Sequence, residues 1–393
     1  MKIQAVRGMH DLFGLEGAKY EKIIEQGRFI ANNYAFETIH TPIVEFCELF
    51  ERNLGEESDI ISKEIYRFTD RSDHVLALRP EFTAGIIRAF TQHSMHAQVL
   101  PKRLFSYGQL FRYDRPQAGR YRQFNQLNYE IIGVKNPNLD VECILMANDL
   151  LNRCKIENTQ LNINFLGNTD TTKIYEKALI DYLQNYKNEL SDDSKKRLEN
   201  GALRILDSKD KSDIKIIENA PNLANYYSDE DKKYFDDILQ ILEKINIKYA
   251  INKRLVRGLD YYTGIVFEFV ANNELTVLGG GRYDNLVEQI GGKVSLPAIG
   301  FAAGIERLML YSKQEIEVKP EKFGVIYYSE NEIDYAMQTA QNLRNQEKSV
   351  EIIYSNSNVG KKIAKANQLG CTKVVVCGPE EKQNNTISIK ELF

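Results

Sequence analysis

The sequence has few of the residues from which extracellular scaffolds are built. Its 393 residues include five cysteines, Cys47, Cys143, Cys154, Cys371 and Cys377, and no C-x-x-C pair. That spacing argues against a disulfide framework and a zinc ribbon, and for a reducing compartment. No run of about eighteen apolar residues occurs, so no membrane-spanning helix is expected. The opening MKIQAVRGMHDLFG lacks the apolar centre of a secretory signal. An excess of positive charge is missing too: the net charge is −4, so any contact with RNA has to be local. Neither a G-x-x-x-x-G-K-S/T loop nor a G-x-G-x-x-G turn between strand and helix is present, and a nucleotide would need another architecture. What is there is ordinary globular material, 43% hydrophobic and 27% charged, in a chain long enough for two or three domains.

Between Tyr20 and Tyr34, Ile23, Ile24, Phe29, Ile30 and Tyr34 make a helical stripe, followed by a strand-like run from Glu37 to Val44. Pro42 makes that run an edge strand or a strand end. Leu104 to Gly133 is apolar at both ends and charged in the middle, which predicts two antiparallel strands joined by a long loop. From about Leu161 to Tyr249 the texture becomes charged and Asn-rich. The spacing of Tyr234, Phe235, Ile238, Leu239, Leu242 and Ile245 marks one buried helix face there, so residues 161–249 read as a helical insertion. Glycine-punctuated, strand-like sequence resumes from Arg257 to Gly304, with a helix from Gly304 to Leu310. A polar, Pro-containing linker precedes strands at 323–328, 350–354 and 373–377 that alternate with helices at 331–346 and 359–369. That alternation predicts a small α/β domain with a largely parallel sheet.

Chemistry concentrates in three places. The loop RYDRPQAGRYR carries Arg112, Arg115, Arg120 and Arg122 among tyrosines. Alone it would be a solvated charged loop. Between two apolar strands its arginines can converge, and guanidinium groups suit bidentate phosphate binding. The second place is RGLDYYTG, residues 257–264, and the third is GGGRYD, residues 279–284, whose glycines imply close approach without saying to what. Glu81 and Glu130 are candidate pocket acids, although spacing alone is equally compatible with surface carboxylates or structural ion pairs. His93 and His96 lack a third ligand and helical spacing, so a metal site is not expected.

Together these segments resemble the class II aminoacyl-tRNA synthetases, and among them the histidyl-tRNA synthetases. RGMHDLFG opens as that family opens. TPIVE, residues 41–45, is similar to motif 1, which builds a dimer interface. LFRYDRPQAGRYRQFNQLNYEIIG resembles motif 2, and AIGFAAGIERL, residues 298–308, resembles motif 3. RGLDYYTG and GGGRYD are the two histidine signatures. The resemblance implies an α+β fold: a six-stranded antiparallel catalytic sheet with an extra strand and a helical insertion, followed by a small α/β anticodon-binding domain. The implied boundaries are 1–160 and 250–312 for the two parts of the catalytic core, 161–249 for the insertion, 313–320 for the linker and 321–393 for the anticodon domain.

It also implies an activity: ATP-dependent activation of L-histidine to histidyl-adenylate, then transfer to the 3′ end of tRNA-His. Arg257 would carry the main catalytic role with Arg112, stabilising charge at the α-phosphate. Glu81, Thr83 and Gln126 would receive the histidine amine, Arg112 its carboxylate, and Glu130, Tyr261 and Tyr262 the imidazole. Phe124 and Arg307 would enclose adenine. Arg115 and Gln117 match positions that read the tRNA acceptor end, including an extra 5′ guanosine. ATP with Mg²⁺, a homodimer and a cytoplasmic location are implied, with neither membrane nor DNA as partner.

Three departures from the family pattern stand out. Phe82 replaces the glycine of R-P-E-G-T, Asn125 stands where histidine is common, and no final helix follows Thr386 to Ile389. The first two predict altered packing with the polar partners kept, and the third bears on the stability of the anticodon domain. The competing reading is an inert paralogue, the regulatory subunit of ATP phosphoribosyltransferase. Such proteins typically lose key synthetase residues and the anticodon domain, whereas Arg112, Gln126, Glu130, Arg257 and a C-terminal α/β segment are all present.

Overall fold

The expected hairpin is the backbone of the site. In the computed structural model, which describes residues 3–54, 60–256, 259, 261–316 and 321–392, the chain divides into two compact units, Met1–Gln314 and Glu315–Phe393. The strands of the first are β1 (Glu37–Thr38), β2 (Val44–Phe46), β3 (Tyr66–Thr69), β4 (Val75–Leu78), β5 (Lys102–Phe111), β6 (Gln123–Ile132), β7 (Thr159–Phe165), β8 (Ala250–Ile251), β9 (Thr263–Ala271), β10 (Leu275–Arg282) and β11 (Ala298–Gly304). Among the described residues, eight of them form one sheet in the order β1-β5-β6-β11-β10-β9-β7-β8. The six central strands are antiparallel, and β1 and β8 join the two edges in parallel. The sheet therefore has one strand more than the resemblance implied.

Period-two alternation sets the two faces of this sheet. On β6, Leu127, Tyr129 and Ile131 enter the main apolar core with Phe105, Phe267 and Phe301. Phe124, Gln126, Asn128 and Glu130 face the other way and line a cavity. Tyr129 stacks on Phe301 at 4.6 Å between ring centroids, and fully burying an aromatic of this kind stabilises the fold by about 1.5–3 kcal/mol. The helix Pro137–Arg153 covers the core. Its start is fixed by Asn136, whose side chain accepts the Asn138 N–H, and by Pro137 in the first turn.

Two sequence readings need correction. The insertion expected at 161–249 begins inside a sheet strand: Leu161, Ile163 and Phe165 point into the core while Gln160, Asn162 and Asn164 alternate with them. Asparagine is depleted in strands, which hid the pattern. Asn164 is kept there because its amide donates to the Leu255 carbonyl at 2.9 Å. At the other end, the helix Asp229–Lys244 buries Phe235, Ile238 and Leu242 in the main core rather than in a separate one. The segment between has its own cluster, around Leu179, Leu183, Leu198 and Ile205. The run Glu37–Val44 is likewise not one strand. It breaks at Pro42 into β1 at the edge of the large sheet and β2 in a separate three-stranded sheet, β2-β4-β3. Arg79 takes up the carbonyl freed before Pro42, donating to Thr41 O at 2.8 Å.

The second unit contains β12 (Lys322–Tyr327), β13 (Ser349–Ile352), β14 (Lys373–Cys377) and β15 (Ser388–Glu391), in the order β13-β12-β14-β15. The first three are parallel, linked through the helices Ile333–Asn345 and Val359–Gln368, and β15 adds an antiparallel edge. Both faces of β12 and β14 are covered, one by the cluster of Val325, Ala336 and Leu343 and the other by that of Ile326, Ala366 and Val374. Their near-continuous apolar runs follow from that double burial. All five cysteines are buried free thiols.

Candidate active site

A cavity of about 380 Å³ opens on the face of the large sheet opposite the main core. Its floor is the polar side of β6 with the glycines of β10 and β11. One wall is the turn at Pro80–Thr83, and the mouth is formed by the β5–β6 loop.

Close backbone packing explains the glycines. A Cβ at Gly280 would lie 2.2 Å from the Gly300 carbonyl oxygen, and one at Gly281 would lie 2.7 Å from that of Ile265. These residues are approached by neighbouring strands rather than by a ligand. Gly300 is different: a Cβ there would fall 1.7 Å from the Glu130 carboxylate, so its absence gives that side chain its place across the sheet.

Two carboxylates lie buried at the floor. Glu81 precedes the helix Thr83–Gln92 and accepts the first backbone N–H groups of that helix, from Thr83 at 2.5 Å and Ala84 at 2.7 Å. Burial raises its pKa, and these bonds oppose the rise. Glu130 accepts the Thr83 hydroxyl at 2.6 Å and the Tyr283 hydroxyl on its other oxygen. Burial pushes it up to about 7 against the pull of these donors. Tyr261 and Tyr262 complete this end, their rings 4.8 Å apart.

The mouth is cationic. Arg112 donates from Nε to Pro80 O at 2.9 Å and holds its guanidinium 5.3 Å from the Phe124 ring centroid. Burial lowers its pKa, opposed by Glu64 and Glu81. Arg307 donates to Gly119 O at 3.0 Å and to Thr276 O at 2.8 Å, joining the start of the motif 3 helix to the motif 2 loop. Thus Glu81, Thr83, Arg112, Phe124, Gln126, Glu130, Tyr261, Tyr262 and Arg307 all line one cavity. Arg115 and Gln117 do not; they are exposed on the loop, where Gln117 pairs with Arg120. Arg257 lies outside the described residues.

Sequence reasoning missed several lining residues. Tyr283 sits in GGGRYD but was given no role, and Asn128 shares the two-residue period of Gln126 and Glu130, a signal that was available. Arg197 and Arg204 reach the cavity from the insertion, and nothing local in that charged segment marks them. The departures find physical places. Phe82 is buried among Phe90 and Leu110 with the Arg79 guanidinium 4.3 Å over its ring. Asn125 donates its backbone and amide N–H groups to Glu306, at 2.9 and 2.7 Å, and accepts from Tyr20 at 3.1 Å.

Residues 8–308 match the model of the family described as histidyl-tRNA synthetase, and residues 322–393 match that of an anticodon binding domain. The chain belongs to the histidyl-tRNA synthetase family. Among its relatives, the histidine–tRNA ligase of Rickettsia conorii is 44% identical over 396 residues, covering all of this chain and 95% of that one. That of Lactococcus lactis is 43% identical, covering 99% and 93%. The crystal structure of the apo histidyl-tRNA synthetase of S. aureus superposes with a TM-score of 0.82 at 30% identity, covering 99% and 95% of the two chains. A Bacillus halodurans protein described as an ATP phosphoribosyltransferase regulatory subunit/histidyl-tRNA synthetase shares the fold, with a TM-score of 0.70 at 21% identity over 96% and 99%. The synthetase family is therefore set by sequence over the whole chain, and the fold alone does not separate it from its regulatory relative.

Proposed function

We propose that this cavity joins histidine to ATP and that the chain is a histidine–tRNA ligase working through the residues gathered there. The observation that carries the reading is the division of the cavity into an acceptor floor and a cationic mouth. Glu81 and Glu130 can take the N–H donors of an amine and an imidazole, while Arg112 and Arg307 can meet a carboxylate and phosphates. A wrong amino acid would leave those buried acceptors unpaired.

In the first step a histidine carboxylate oxygen attacks the α-phosphorus and pyrophosphate leaves. Arg112 and Arg257 stabilise the charge that builds there, with Arg257 in the main catalytic role. Phe124 stacks on adenine and Arg307 covers its other face. Mg²⁺ would be held mostly by the phosphate oxygens of ATP and would neutralise their charge, with the Asp114 and Glu306 carboxylates on the cavity wall as the protein groups near enough to assist. In the second step the terminal 3′-hydroxyl of tRNA-His attacks the adenylate carbonyl and AMP departs. Arg115 and Gln117, exposed on the motif 2 loop, contact the acceptor end, where their donors suit phosphate and guanine acceptors.

The chain works as a cytoplasmic homodimer. Support for the dimer comes from one face of the three-stranded sheet, where Val44 and Phe46 on β2 and Phe68 on β3 are exposed on either side of β4, next to the motif 1 run. No helix among the described residues is long and apolar enough to cross a membrane.

The test is histidine-dependent exchange of labelled pyrophosphate into ATP. Arg257→Ala should lower the rate by about 10²–10³-fold, the range for removing one transition-state donor. A folded wild-type protein without exchange would overturn the enzyme reading. Equal charging of tRNA transcripts with and without the extra 5′ guanosine would refute the role given to Arg115 and Gln117.

A further inference from the structure

The opening run RGMHDLFG has no task in the reaction as derived, and none of residues 7–14 lines the cavity. It lies instead along the motif 2 loop that forms the cavity mouth. The loop is closed at its base by the Arg112 N–H, which donates to Arg122 O at 2.9 Å. The limb returning to β6 is then held at three places. Arg307 donates to Gly119 O. His10 meets Tyr121 edge to face, with ring centroids 4.8 Å apart and planes at 79°. Gly8 O accepts the Arg122 N–H at 2.8 Å and the Gln123 N–H at 3.3 Å. Only the first of these holds comes from the site itself.

The second and third depend on Gly8 being a glycine. Its φ is +81°, and a Cβ would stand 3.0 Å from Pro116 Cγ and 3.0 Å from Arg122 Cγ. A bare Cα therefore lets the segment touch both limbs of the loop at once. Arg122 in turn lays its guanidinium 3.7 Å over the Tyr113 ring on the incoming limb. The Tyr121 ring lines the cavity together with Gly119, Arg120 and Phe124. Surface loops are ordinarily among the most mobile parts of a fold, and misplacing a group by about 1 Å can cost about 10²-fold in rate.

We infer that Gly8 and His10 are positioning residues for the nucleotide end of the cavity. They hold the returning limb of the motif 2 loop so that Tyr121 and Phe124 stand in place before ATP arrives. The inference rests on the reading of this cavity as the ATP and histidine site. Histidine is placed at the floor, by Glu81, Thr83, Gln126 and Glu130 rather than by the loop, so the two substrates should respond differently.

One measurement reads the loop and another the reaction. Trypsin can cut after Arg120, which is exposed on the loop, at a rate that follows how often the loop opens. His10→Ala should speed that cut, followed by mass spectrometry, about two- to tenfold, the range covered by one edge-to-face pair. KM for ATP in pyrophosphate exchange should rise by a similar factor. KM for histidine should stay within about twofold, which also shows that the variant folds. His10→Phe keeps an edge-on ring and should return both values to within about twofold of wild type. Gly8→Ala strains the backbone and crowds Pro116 and Arg122, and should raise KM for ATP about fivefold or more. Wild-type protein without histidine-dependent exchange overturns the reading of the cavity and with it the nucleotide role. Unchanged cleavage in His10→Ala overturns the hold on the loop even where exchange is intact. With exchange established, an unchanged KM for ATP overturns the inference whatever trypsin shows. So does an equal rise in KM for histidine, which would reduce the contact to general stability.

Discussion

Two buried charge clusters lie in the same unit, and they are built on opposite plans. Around Arg282 opposite charges are paired. Its guanidinium is fully buried and donates to both Asp140 oxygens, to Asp284 at 2.9 Å and weakly to Val134 O, while Tyr234 adds a hydroxyl to Asp140 at 3.0 Å. In the cavity, two buried carboxylates of the same sign share neutral donors, with Arg112 at the mouth bonded to a backbone carbonyl. Matched charges hold a helix to a sheet; unmatched ones await a substrate. GGGRYD contains both plans side by side, since Arg282 belongs to the first cluster and Tyr283 to the second.

The sharpest way to break this contrast is to unmatch the matched cluster. Asp140→Ala leaves a guanidinium buried with only Asp284 and a carbonyl, and such a change costs about 3–5 kcal/mol. Urea unfolding should show that loss as a lower midpoint, and the double variant Asp140→Leu, Arg282→Met should recover most of it. A midpoint unmoved by Asp140→Ala would mean that the cluster holds nothing together.

Glu130 should respond in the opposite sense. Its pKa is raised to about 7, so the fold favours the protonated form. The stability this group contributes is present below its unfolded value near 4.5 and lost as pH rises through about 7. Glu130→Gln removes that dependence: relative to wild type, the variant should gain stability between about pH 4.5 and 7, on the order of 3 kcal/mol at most. KM for histidine should rise about thirtyfold or more in the same protein. A variant that loses stability at pH 8 would place Glu130 with Asp140 as a structural charge.

The contrast also shows what the sequence made legible. Strand and helix patterns were readable wherever apolar residues alternate cleanly, as on β5 and β6, and unreadable on β7, where asparagines occupy the polar positions. Glu81 and Glu130 were given roles through motifs, since spacing alone left their carboxylates open to a surface or ion-pair reading, whereas Arg112 stood out in an arginine-rich loop between two apolar strands. What no local pattern holds is register. Glu130 faces Gly300 across β6 and β11, and Tyr283 reaches it from 153 residues away, so the floor exists only once the strands pair. Arg282 was invisible as a structural residue for the same reason, its partner Asp140 lying 142 residues off.

The smallest expected effects come from the Tyr20–Asn125–Glu306 relay, which is not a matched charge pair and meets the cavity only through Glu306. Glu306 is half-buried, with its pKa raised by desolvation and pulled back by Asn125, and it directly precedes Arg307, which spans to Gly119 and Thr276. Asn125→Ala removes the amide bond to Glu306 but keeps the backbone one, so a loss of about 1–1.5 kcal/mol is expected. It should appear as a five- to tenfold rise in KM for ATP, roughly that energy, with KM for histidine unchanged. Asn125→His, restoring the residue common in the family, can still donate to Glu306 and should recover much of the loss. Tyr20→Phe removes only the outer bond, to Asn125 Oδ1, worth about 0.5–1 kcal/mol and no more than about a fivefold change. If Tyr20→Phe raised KM for histidine instead of ATP, the relay would belong to the floor rather than to the adenine side.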